Sequence, residues 1–77
     1  MSIDEFIAEL ELAIEGMGPG TIRPGTVLHD LPGWDSLAVL ATLACVDAGF
    51  GVQLSAVELA ECRTVQEIFD RARSKRA

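Results

Sequence analysis

The sequence predicts an all-α chain folded as a four-helix bundle, with a long loop between helices one and two and a short third helix. Three observations carry this. In the first and last stretches, apolar residues recur at helical spacing. Three of the four predicted helices open on a Ser/Thr-x-x-Glu capping box, in which side chain and backbone satisfy each other reciprocally. No run of alternating β-branched residues marks a strand.

The first helix opens at Ser2 with Glu5 as its box partner. Ile3, Phe6, Ile7, Leu10, Ile14 and Met17 form its stripe, and Asp4, Glu5, Glu9, Glu11 and Glu15 lie off it. Acids near the start also suit the positive end of the helix dipole. Gly16 and the run Gly18-Pro19-Gly20 end the helix. Residues 17–35 form a connection with three prolines and four glycines. Loops this long in small domains are often functional. Ile22, Val27, Leu28 and Leu31 are expected to pin it across the bundle. His29 is expected to be exposed and without a role.

The second helix is predicted from Asp35 or Ser36 to about Ala48, with Gly49 at its C-terminal turn. It is apolar nearly all round, so it is either buried or offers an apolar face to a partner. Helical spacing predicts that Val39, Leu40, Leu43, Val46 and Phe50 point inward. Leu37, Ala38, Ala41, Ala44 and Ala48 are left on another face. The third helix is short and opens on Ser55 and Glu58. The fourth opens on Thr64 and Glu67 and carries Val65, Ile68, Phe69 and Ala72 as its stripe.

Length and composition bound the function. A chain of 77 residues is expected to be one domain. Apolar residues make up 49% of it but aromatics only 5%, so the core must be mainly aliphatic. That is enough for a small bundle and too little for an enzyme with a walled pocket. Residues 1–62 carry ten acids and one base (Arg23), a net of −9; residues 63–77 carry five bases and two acids, a net of +3. The acidic body disfavours nucleic acid, which needs clustered Lys and Arg. The basic end reads as a last helical turn complementing the macrodipole. Cys45 and Cys62 form no CxxC pair, and with one His there is no zinc-ligand set. Cys45 is expected to be a reduced core residue. No signal peptide or membrane span is legible, so a cytoplasmic monomer is expected.

The segment Leu31-Pro-Gly-Trp-Asp-Ser-Leu37 poses the functional question. Asp35 is a good N-cap, which would make Ser36 merely the first helical residue. A serine hydrolase would need a base, its orienter and an oxyanion hole. Only His29 is at hand for that, in a loop, so hydrolysis is disfavoured. The third reading is covalent attachment.

That reading is carried by three motifs in order. Asp35-Ser36-Leu37 opens helix two, Phe50-Gly-Val-Gln-Leu-Ser55 leads into helix three, and Arg63-Thr-Val-Gln-Glu-Ile68 starts helix four. In these the chain resembles the acyl carrier proteins over nearly its whole length. The resemblance implies an acyl-carrier-like bundle with no catalysis of its own. It implies a 4′-phosphopantetheine arm taken from coenzyme A and attached to Ser36, with Asp35 in support. The partners implied are a phosphopantetheinyl transferase, an acyl-activating ligase or acyltransferase, and downstream pathway enzymes. A peptidyl or aminoacyl carrier, or an unmodified carrier-like interaction module, remains the alternative.

The chain departs from the family at one point. Many members carry several acids on helix two, where basic enzymes dock. Here only Asp35 and Asp47 stand at its two ends. Leu37, Ala41, Ala44 and Ala48 are therefore expected to form a docking face that works by close packing.

Overall fold

The structure is a computed structural model and describes residues 1–76; Ala77 lies outside the described residues. Its helices are α1 (Ile3–Ala13), α2 (Ser36–Phe50), α3 (Ala56–Ala60) and α4 (Val65–Arg76). Among the described residues no strand forms; an isolated bridge pairs Val27 with Thr64.

All three capping boxes form. The Ser2 hydroxyl accepts the Glu5 N–H while the Glu5 carboxylate accepts the Ser2 N–H. Ser55 with Glu58 and Thr64 with Glu67 repeat the arrangement. Each box satisfies donors that a helix N-terminus otherwise leaves unpaired.

The core is built around three phenylalanines. Phe6 of α1, Phe50 of α2 and Phe69 of α4 are all buried, with ring centroids 5.5 to 6.1 Å apart. Two of the three pairs meet edge to face at 73°, the arrangement the ring quadrupoles favour. The predicted stripe of α1 is inside as expected, with Ile3 at its margin, and Ile14 and Met17 stay buried although the helix stops at Ala13.

The long connection is held down rather than structureless. Ile22, Leu28 and Leu31 are buried and Val27 is half-buried, as expected. A single 3₁₀ turn spans Leu28–Asp30. The loop also completes the mouth of α4: the Val65 and Gln66 N–H groups donate to the carbonyls of Thr26 and Pro24, at 3.3 and 2.9 Å. Leu28 N–H returns a 2.9 Å bond to the Arg63 carbonyl. Pro24, Thr26 and Leu28 thus anchor the segment that leads to α2 on the mouth of α4.

α2 corrects the sequence reading twice. First, it runs to Phe50, two residues beyond the expected end. Gly51, not Gly49, takes the left-handed cap with φ of +69°, a conformation that a Cβ disfavours. Gly49 lies inside the helix, and the Met1 side chain occupies the space a Cβ there would take. Second, the buried stripe is Ala38, Thr42, Val46 and Phe50. Leu40, expected inside, is 61% exposed; Val39 and Leu43 are half-buried; Ala38, expected outside, is buried. A helix apolar all round gives no preferred direction, so helical spacing alone misplaces the face. Small Ala38 and Thr42 let α2 approach its neighbours closely. Thr42 can sit at 0% exposure because its hydroxyl donates to the Ala38 carbonyl at 2.8 Å.

The basic end of α4 does more than complement a dipole. Lys75 Nζ donates to the Gln53 carbonyl at 2.6 Å and reaches Glu58 at 3.0 Å. Arg71 pairs with Glu61 at 2.7 Å, and Arg73 stacks over the Phe69 ring. Lys75 and Arg71 tie α4 to α3 and to the residues on either side of it.

Candidate functional site

Asp35 and Ser36 divide the mouth of α2 between them. Asp35 is the N-cap, with extended backbone, and its Oδ1 accepts the Ala38 N–H at 3.0 Å. Ser36 is the first helical residue and its side chain is exposed. Capping therefore falls to the carboxylate, and the hydroxyl faces solvent. The site is set in place from below by buried Leu31, buried Ala38 and half-buried Trp34.

The electrostatics of this mouth differ from the others. The first turns of α1, α3 and α4 each carry glutamate, which offsets the positive end of the macrodipole. The first turn of α2 carries no acid, so apart from the cap itself its positive end is not neutralised. The N–H groups of Ser36 and Leu37 have no intrahelical acceptor, as in any helix, and can receive an anion. An exposed primary hydroxyl beside such donors suits esterification to a phosphate. Among the described residues no group of His, Cys, Asp and Glu could hold a metal ion. His29 is exposed on the 3₁₀ turn, as expected.

The four residues expected to form a docking face do share one side of α2. Leu37, Ala44 and Ala48 are exposed and Ala41 is half-buried. Leu37 is 71% exposed, and the exposed Leu40 extends the same apolar surface. α1 supplies the opposite wall, which the sequence reading did not include. Glu9 and Ala13 face Ala41, Ala44 and Ala48 across a groove of about 450 Å³. A second hollow, of about 280 Å³, lies at the mouth of α2 between Ala13, Gly33, Asp35 and Leu37. The signal for the α1 wall was present in the off-stripe positions of helix one, but pairing it with α2 needs the packed fold.

The cysteines are free thiols. Cys62 is buried, whereas Cys45, expected in the core, is only half-buried and lines the groove. Burial pushes both thiols above the usual range, and the Glu9 carboxylate adds to the effect at Cys45.

Among the described residues, no helix is long and apolar enough to cross a membrane. Comparison with known proteins gives one positive finding. The model of the family described as a phosphopantetheine attachment site matches residues 5–71. That span runs from the first turn of α1 to the middle of α4. No curated protein and no solved structure matches the chain. Proteins of the matched family carry covalently attached 4′-phosphopantetheine, and its carrier domains are in general not catalytic.

Proposed function

The chain belongs to the phosphopantetheine attachment-site family, and from that premise we propose that it is an acyl carrier protein whose arm is joined to Ser36. The observation that carries the residue assignment is the division of labour at the mouth of α2. Asp35 already caps Ala38, so the exposed Ser36 hydroxyl is not consumed by the helix. Among the described residues it is the first residue of the one α-helix whose first turn carries no acid.

Each residue then has a physical role. In the transferase complex Ser36 Oγ would attack the pantetheine-side phosphorus of coenzyme A and take the phosphopantetheinyl group; the hydroxyl proton would pass to a base of the transferase, the pyrophosphate P–O bond would break, and adenosine 3′,5′-bisphosphate would leave, with the metal for the step also supplied by the transferase. The N–H groups of Ser36 and Leu37 favour the resulting phosphodiester. Asp35 fixes the direction of the first turn and offers a carboxylate to the transferase. When bound, the arm supplies a terminal thiol that holds cargo as a thioester. The chain itself catalyses nothing in this reading: its part is to present a fixed attachment point on a rigid helix and a surface for enzymes to grip.

The chain is proposed to act as one monomeric carrier domain in the cytoplasm. It is loaded by an acyl-activating ligase or acyltransferase and serves downstream pathway enzymes. Asp35 directly before the serine is similar to acyl rather than typical peptidyl carriers, which supports acyl cargo. Leu37, Ala41, Ala44 and Ala48 are proposed as the docking face, with exposed Leu40 beside them. The second reading is a carrier-like module that binds partners without modification. Incubation with a broad-specificity phosphopantetheinyl transferase and a fluorescent coenzyme A analogue separates the two. Wild type should take up label and Ser36→Ala none; an unlabelled wild type across several transferases would favour the unmodified module.

A further inference from the structure

Two hollows of unequal size flank the mouth of α2. The one toward α1 holds about 280 Å³. The one toward α3 holds about 150 Å³ and is lined by Trp34, Val39 and Leu59 among others. Asp35 and Leu37, the residues on either side of the serine, both line the α1-side hollow, and neither lines the other. An arm rooted on Ser36 therefore starts at the rim of the larger hollow. Its volume is near the lower end of small-molecule sites, roughly 300–1,000 Å³, so it can take a segment of an arm.

The chemistry of this hollow is sorted by its two ends. α1 stops at Ala13, and Ala13, Ile14 and Glu15 line one side. The last carbonyls of a helix lack intrahelical donors and carry the negative end of its dipole. Glu15 adds an exposed carboxylate, and its backbone carbonyl lies 3.9 Å from where a Cβ on Gly33 would stand. The Asp35 Oδ1 already receives the Ala38 N–H, which leaves its second oxygen for another donor. Ile14 and Ala38 are buried and make an apolar floor, with Leu37 as a wall. Unpaired N–H donors stand only at the other end, in the first turn of α2.

A phosphopantetheine arm carries its groups in the matching order. Its phosphodiester is anionic and belongs at the N–H groups of α2; the carboxylates of Asp35 and Glu15 keep it out of the hollow. The pantoyl group that follows is neutral, with a gem-dimethyl carbon, a hydroxyl and an amide N–H. The methyls suit the floor, and the hydroxyl and N–H can donate to the acceptors at the end of α1. We propose that the hollow between the end of α1 and the mouth of α2 seats the pantoyl segment of the arm on Ser36, so that the arm leaves along α1 and away from α3. The inference rests on the carrier reading.

Wild-type protein with labelled Ala, Ile, Leu and Val methyls is converted to the holo form with unlabelled coenzyme A and a broad-specificity transferase. Isotope-filtered NOEs are then read from the gem-dimethyl protons of the arm. They should fall on the methyls of Ala13, Ile14 and Ala38. Contacts to Leu37 alone do not count, because it adjoins the attachment point. Ala13→Trp fills the hollow from the exposed last residue of α1. It should abolish these contacts and narrow the arm's proton lines while Ser36 is still modified. Unchanged helical circular dichroism would show that the variant folds, and the wild-type contacts decide without it. NOEs to Val39, Leu59 or Ala60 instead would place the arm on the α3 side and overturn the proposal. An arm with free-solution line widths and no contact beyond Leu37 would overturn it as well. Both results leave the carrier reading standing. A wild type that takes no arm overturns the carrier reading and the seat together.

Discussion

The carboxylate of Asp35 holds the Ala38 N–H at 3.0 Å, and the side chain between them in sequence, Ser36, stays exposed. The relationship separates two roles that a lone Asp-Ser pair leaves merged. Asp35→Ala should lose the cap and cost about 1 kcal/mol of stability. Asp35→Asn keeps a capping oxygen and should cost little. If Asp35 also serves the transferase through its charge, both variants should be modified slowly, although only one is destabilised. Denaturant unfolding and modification rates, measured side by side, decide this. Modification that merely tracks stability would reduce Asp35 to a cap.

Phe50 packs edge-on against both Phe6 and Phe69 and thereby joins α2 to α1 and α4. Phe50→Ala should cost about 3–5 kcal/mol, the range for emptying a buried aromatic site. Urea unfolding checks it. A loss under about 0.5 kcal/mol, typical of surface positions, would contradict the packing described for the helix end.

Three capping glutamates, Glu5 and Glu67 exposed and Glu58 half-buried, make the fold sensitive to acid. Their capping bonds to the backbone of Ser2, of Ser55, and of Arg63 and Thr64 hold the carboxyls of Glu5, Glu58 and Glu67 below the usual range. Lys75 adds to the effect at Glu58. A depressed folded-state pKa stabilises the fold above the unfolded value, near 4.3 for Glu, and that stability is lost as pH falls through the folded value. Unfolding midpoints should therefore drop below about pH 4.5. Replacing all three by Gln should flatten the dependence while keeping the box geometry. An unchanged acid limb in the triple variant would assign it to other groups.

Gly51 ends α2 at φ of +69°. Gly51→Ala should cost roughly 1–2 kcal/mol, since a Cβ is disfavoured in that conformation. Gly49→Ala meets the Met1 side chain instead, in an ordinary helical backbone. Because that side chain is flexible, the cost there should be smaller. Thermal unfolding of the two variants tests the order, and the reverse order would contradict the helix boundary.

Most of this architecture is legible in the sequence because local chemistry dictates it. Ser2, Ser55 and Thr64 cap through partners three residues away, so no knowledge of the fold is needed. The three buried loop residues are legible too, because isolated large apolar side chains in a Pro/Gly-rich segment have few other places to go. The rotation of α2 is not legible. Thr42 is buried and Leu40 exposed because neighbouring helices need a close approach on one side. A hydroxyl returned to its own helix costs little there, and the linear sequence holds no sign of it. The α1 wall of the groove is hidden for the same reason. Glu9 and Ala13 gain meaning only from what packs beside them. The mouth of α2 stands between these cases: Asp35 and Ser36 are legible, whereas the cap bond that leaves Ser36 free is a geometric fact.

Attachment of the arm to Ser36 is tested most directly by peptide mapping with mass spectrometry. Wild-type protein, incubated with coenzyme A and a broad-specificity phosphopantetheinyl transferase, is weighed intact and then digested and fragmented. The account predicts a single added phosphopantetheine, located on Ser36 and absent from a folded Ser36→Ala protein. Attachment at any other residue, or persistent modification of Ser36→Ala, would contradict it.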